Sequence, residues 1–138
     1  MAGSVLLDTC AAIWIIKQMP MSIASRKAIH KAYRANSGVY VSPFTAWEVG
    51  MLVSKGRLIL SIPPEVWFDS LLTMPGVRLA PLTPNILLAS SMLPGTPPGD
   101  PSDRIIAASA RALGKTLITR DAMLLEYSRH GHLRAVAC

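Results

Sequence analysis

Cysteine is scarce: Cys10 and Cys138 stand far apart in 138 residues. They fit neither CxxC redox spacing nor a zinc site, so reduced thiols in a cytoplasmic protein are expected. Long apolar runs are missing too. "CAAIWII" at 10–16 falls far short of the roughly 20 residues a membrane-spanning helix needs. No basic segment with a signal-type apolar stretch opens the chain, so a soluble, unprocessed protein with no membrane role is expected. No glycine-rich loop follows the first apolar run, which removes P-loop and dinucleotide-binding chemistry. Acids are also few, eight Asp and Glu against fourteen Lys and Arg, for a formal net charge of +6. A surface with that balance attracts polyanions, nucleic acid the commonest among them.

What is present reads as one domain, residues 1–138. Short β-rich runs, "SVLL" (4–7), "GVYV" (38–41), "VRLA" (77–80), "TLIT" (116–119) and "LRAVA" (133–137), alternate with helical patterns near 10–18, 22–35, 43–55, 64–73, 84–92, 101–113 and 121–129. Ser42-Pro43, Thr83-Pro84 and Asp100-Pro101 place a cap residue before a proline, a helix-start signature. Apolar strands separated by helices require crossovers, so the fold class is α/β, a mainly parallel five-stranded sheet with helices on both faces.

In such sheets ligands bind beyond the carboxyl ends of the strands, and the residues expected there are acids. Asp8 follows "VLL", Glu48 sits in the second turn after "GVYV", and Asp121 comes two residues after "TLIT". Asp100 and Asp103 open the helix leading into that last strand. Asp100 reads as the helix cap. Asp103 instead shares a face with Ile106, Ala107 and Ala110, while Arg104, Ala108, Arg111 and Lys115 form a separate, mostly basic stripe. Glu48 repeats the anomaly, with Phe44, Met51 and Leu52 around it at helical spacing.

A carboxylate facing a core costs several kcal/mol unless it is paired, protonated or bound to a cation. Two of them about 4 Å apart repel by roughly 4 kcal/mol at an effective dielectric near 20. Arg104 or Arg120 neutralising the cluster is one reading. The other is a hard divalent cation, Mg²⁺ or Mn²⁺, since oxygen ligands without nearby His or Cys argue against zinc and copper. Water on such an ion attacks phosphodiesters, with Arg104, Arg120 or the pair Arg111 and Lys115 positioning phosphates. Thr9 and Thr119 border Asp8 and Asp121 and are candidates to orient a carboxylate or a metal water, although Thr9 also reads as a cap for the first helix.

The segments "LLDTC", "SPFTAWEVG", "DPSDRIIAASA" and "LGKTLITRD", in this order across nearly the whole chain, resemble the PIN domain, specifically the VapC-type toxins of bacterial toxin–antitoxin pairs. The resemblance implies a small α/β fold and a Mg²⁺- or Mn²⁺-dependent endoribonuclease. It implies a catalytic and metal-binding quartet of Asp8, Glu48, Asp103 and Asp121, with Asp100 outside it as a cap that is also a candidate for an outer role around the metal. It also implies a homodimer and a VapB-type antitoxin whose C-terminal segment can push a basic side chain into the acidic pocket. "AAIWIIKQM" (11–19) and "WEVGMLVSKGRL" (47–58) are the apolar stretches that suit such contacts, though most of these residues read as core.

Trp14, Trp47 and Trp67 all lie in helical patterns and read as packing residues. His30, His130 and His132 do not cluster with the acids, and "HGH" reads as a turn before the last strand. A receiver-like signalling module would need an acidic pair after the first strand, where Asp8 stands alone. Two other readings stay open: an RNA-binding protein that blocks translation without cutting, and a housekeeping RNA-processing nuclease of the same fold.

Overall fold

The computed structural model describes residues 3–138; Met1 and Ala2, within the expected domain, lie outside the described residues. In chain order the elements are β1 (Val5–Leu7), α1 (Thr9–Ile16), α2 (Ile23–Arg34), β2 (Val39–Val41), α3 (Pro43–Ser54), α4 (Pro64–Thr73), β3 (Val77–Leu79), α5 (Pro84–Ser90), α6 (Pro101–Leu113), β4 (Thr116–Thr119), α7 (Ala122–Arg129) and β5 (Ala135–Ala137). The five strands run in the order β3-β2-β1-β4-β5, every pair parallel. The expected five-stranded α/β sheet is therefore present and wholly parallel.

The caps read from sequence form as hydrogen bonds. Ser42 Oγ accepts from Phe44 N and Thr83 Oγ1 from Ile86 N, satisfying amides that a helix start otherwise leaves unpaired. Leu113 ends α6 because Gly114 takes a left-handed conformation (φ 64°, ψ 36°), which costs glycine no Cβ clash.

Side chains alternate across each strand. Val5, Leu7, Val39, Val41 and Ile118 pack on one face with Ala11, Ala12, Ala32, Val49, Trp67 and Leu71 from α1 to α4. Leu6 and Leu117 pack on the other with Ile106, Ala107, Ala110, Leu124 and Tyr127 from α6 and α7. Both faces are covered, as a parallel sheet requires. Among the described residues no helix is long and apolar enough to cross a membrane.

The order of the sheet decides where chemistry can occur. From the central β1 the chain steps outward through β2 and β3, then returns to the opposite side of β1 as β4. The loops leaving β1 and β4 diverge and open a crevice at this switch point. Asp8 and Asp121 stand in those two loops.

Candidate active site

Asp8, Glu48, Asp103 and Asp121 line one cavity of about 440 Å³, together with Thr9, Ser102 and Arg120. Half of the eight acids in the chain thus share a single crevice. Among the described residues the only carboxylate in an ion pair is Glu126, in α7 and not among the residues lining this cavity, with Arg129 and His130. No described Lys or Arg forms an ion pair with the four.

Asp8 caps α1, its Oδ1 accepting from Ala11 N at 2.8 Å, while the fully buried Thr119 donates from Oγ1 to Asp8 Oδ2 at 2.5 Å. The same Thr119 oxygen accepts from Asp121 N at 3.0 Å, so one hydroxyl links the β1 and β4 exits. Asp121 caps α7 through Leu124 N at 2.9 Å. Burial pushes the Asp8 carboxyl above its ordinary pKa, the Thr119 and Ala11 hydrogen bonds pull it back, and Asp121 pushes it up again.

Glu48 projects from the second turn of α3 and accepts from Thr9 Oγ1 at 2.6 Å. Thr45 Oγ1, one turn earlier on the same face, lies 3.2 Å from Thr9 Oγ1. Burial raises the Glu48 pKa, Thr9 opposes it, Asp8 and Asp100 add to it, and Ser102 opposes it in turn. Capping of α1 falls to Asp8 and not to Thr9, which lies one residue into the helix and reaches across to α3 instead.

Asp103 has the least support. Its backbone N–H bonds to Asp100 Oδ1, but among the described residues nothing donates to its carboxylate. Burial, then the charges of Asp121, Asp100, Glu48 and Asp8, raise its pKa to about 7. Asp100 is the expected cap, accepting from Ser102 N at 2.7 Å, and it stays exposed at the rim.

The arginines divide. Arg120 lines the cavity with its guanidinium 3.9 Å over the Trp14 ring, a cation–π contact that holds the charge at the rim. Arg104 does not reach the acids. Its Nε, Nη1 and Nη2 donate to the carbonyls of Ser90, Pro98 and Ser91, two of them at the C-terminal end of α5 and one in the loop that follows it. Arg111 and Lys115 are likewise absent from this cavity, and Lys115 is buried with Nζ 3.5 Å over the Tyr40 ring and 3.2 Å from Ser4 Oγ. The basic stripe is also interrupted, since Ala108 is buried.

Nothing in the sequence marks Ser102 or Thr45, and Cys10 reads there only as a reduced thiol. Ser102 stands inside "DPSD" in the first turn of α6, and Thr45 lies three residues before Glu48, so helical spacing alone put both near an acid. The Cys10 thiol, exposed at the cavity rim, has its pKa raised by burial and Asp8 despite Arg120, which keeps it protonated and a poor ligand.

No three His, Cys, Asp or Glu side chains among the described residues converge closely enough to enclose an ion on their own. An open crevice with hard oxygen donors and no imidazole suits an ion that takes one or two carboxylates and keeps several waters, the habit of Mg²⁺.

Residues 5–129 match the family model of the PIN domain. Over 134 residues the chain is 33% identical to Ribonuclease VapC22 of Mycobacterium tuberculosis, with 96% of each chain covered. The fold is similar to that in VapBC2 from Rickettsia felis bound to a DNA fragment from their promoter (TM-score 0.67, 17% identity, 97% of this chain and 98% of that one). It is also similar to that in DNA-bound VapBC from Salmonella typhimurium (TM-score 0.63, 23% identity, 97% of each). On the family match and the extent of that identity, the chain belongs to the PIN-domain family, among its VapC-type members.

Proposed function

We propose that this chain is a Mg²⁺- or Mn²⁺-dependent endoribonuclease, the toxin of a VapBC-type pair, acting as one domain that forms a homodimer and is held by a VapB-type antitoxin. The observation that carries the reading is Asp103, a carboxylate inside a four-acid crevice with no hydrogen-bond donor and no compensating cation among the described residues. A group so placed either keeps a proton or meets a cation. The relative named a ribonuclease supports the activity, and the VapBC assemblies of similar fold support the partner.

Asp103 and Asp8 are the carboxylates to hold the ion directly, with Asp121 and Glu48 reaching it through water. When bound, the ion supplies Lewis acidity toward the phosphodiester and an acidic water at neutral pH. Thr119 fixes the rotamer of Asp8, and Thr9 fixes that of Glu48, so neither carboxylate must reorganise as the substrate arrives. Arg120, steadied on Trp14, is placed to meet phosphate oxygens at the rim. The same negative crevice offers a seat to a basic antitoxin side chain in place of the ion.

Incubation of the purified chain with total RNA in Mg²⁺ or in EDTA tests this. Metal-dependent cleavage, suppressed by the antitoxin, is the expected result. Binding without metal-dependent cleavage overturns it in favour of a translation blocker. Cleavage by a protein without an antitoxin gene beside its own points to a housekeeping nuclease.

A further inference from the structure

A second cavity, of about 680 Å³, lies at the opposite end of the sheet. Arg111, Gly114, Lys115, Ser128, His132 and Arg134 are among its lining residues, and no carboxylate is among them. Its position follows from the strands: Lys115 immediately precedes β4 and Arg134 immediately precedes β5, whereas Asp8 and Asp121 follow β1 and β4. The four residues of β4 separate the two ends by roughly 13 Å at about 3.3 Å per residue.

A structural reason for these cations exists and is insufficient. Arg134 Nη2 donates to Gly114 O at 2.8 Å, and Arg111 Nη1 donates to His132 O, bonds that tie the last turn of α6 to the approach to β5. A helix C-terminus carries about half a negative charge, against the two guanidinium charges of Arg111 and Arg134, Lys115 being held on Tyr40 and Ser4. Neither arginine is in an ion pair among the described residues, and both are exposed with guanidinium nitrogens to spare. The cleft therefore has the charge, the forked donors and the opening that a phosphate group requires.

We propose that this cleft between α6, α7 and β5 is a second nucleic-acid contact, in which Arg111 and Arg134 hold backbone phosphates of single-stranded RNA away from the acidic crevice. The choice of RNA rests on the nuclease reading. The separation matters chemically: the acidic crevice repels the polyanion it must cut, and an attractive cleft outside it retains the strand without placing a cation against the carboxylates.

The test is binding of a fluorescein-labelled single-stranded RNA of twenty nucleotides to the intact chain carrying Asp103→Asn, so that cleavage plays no part. Adding Arg111→Glu and Arg134→Glu together is expected to weaken binding at least tenfold. The slope of log affinity against log salt should flatten by about 1.4, at about 0.7 for each phosphate no longer neutralised. Arg111→Lys with Arg134→Lys, which keeps the charge, is expected to stay within about threefold of the parent, excluding a purely structural role. Unchanged affinity and slope in the Glu pair overturn the proposal. Equal loss in the Lys pair, or tenfold preference of the cleft for duplex DNA over RNA, overturns it as well. None of these outcomes bears on metal-dependent cleavage by the unaltered chain, so the two readings fail separately.

Discussion

Thr119 Oγ1 donates to Asp8 Oδ2 and accepts from Asp121 N, joining by one buried oxygen the two strand ends on which the crevice is built. Replacing it by valine keeps the shape and removes both bonds. Thr119→Val should lower RNA cleavage by about 10- to 100-fold, the usual cost of losing an outer partner of a metal site. It should also destabilise the fold by about 1–3 kcal/mol, since the Asp121 amide loses its partner. Thr119→Ser should restore most of both. Denaturant melts beside cleavage rates check this; full activity in the valine variant contradicts the role.

Asp103→Asn removes the charge that four other carboxylates oppose. Cleavage should fall below about 1% of the parent while the metal-free protein melts at a higher temperature at pH 8. Asp8→Asn should also abolish cleavage. Glu48→Gln and Asp121→Asn should weaken it less, as expected of groups acting through water. Retained cleavage in both Asp8→Asn and Asp103→Asn would contradict the site.

The pH dependence of the metal-free protein has a definite sign. Folding raises the Asp103 pKa from 3.8 to about 7, so between these values the folded chain keeps a proton that the unfolded chain has released. Stability from this group is therefore present in acid, falls as pH rises through that window, and is gone above about pH 7. Asp8 and Glu48, also raised, act in the same direction. Melting in EDTA should show a transition temperature that drops from pH 5 to pH 8, with a shallower drop in Asp103→Asn. An identical slope in the two proteins contradicts the assignment.

Arg120 is held over Trp14, so its charge and its position are separable. Arg120→Ala should raise KM for RNA several-fold with a smaller effect on kcat, and Trp14→Leu should do the same more weakly while leaving the charge in place. Kinetics with a defined oligonucleotide distinguish these effects; a change confined to kcat rules out the positioning role.

Much of this is legible in the amino-acid sequence. Pro43, Pro84 and Pro101 mark helix starts to the residue, because proline has no amide to lose and its φ suits the first turn. The alternation of strand and helix announces a parallel sheet, and the inward-facing Asp103 announces the crevice. What escaped depends on non-local geometry. Helical periodicity puts Arg104 on a face but does not reveal that the end of α5 and the loop after it offer it three carbonyls, of Ser90, Ser91 and Pro98. Nor does it reveal that Lys115, at the foot of β4, turns onto Tyr40 at the end of the sheet away from the acids. Asp8 and Thr9 are both competent caps, and only the approach of α3, with Glu48, draws Thr9 elsewhere.

The most direct measurement is titration of Mn²⁺ into the apo protein and into Asp103→Asn at pH 7.5, followed by calorimetry and by the Mn²⁺ resonance. Saturable binding in the parent, at least tenfold weaker in the variant and weakening as pH falls below 7, is the expected result. Absence of saturable binding in the parent, or equal affinity in both proteins, would contradict the claim that this crevice holds a divalent cation.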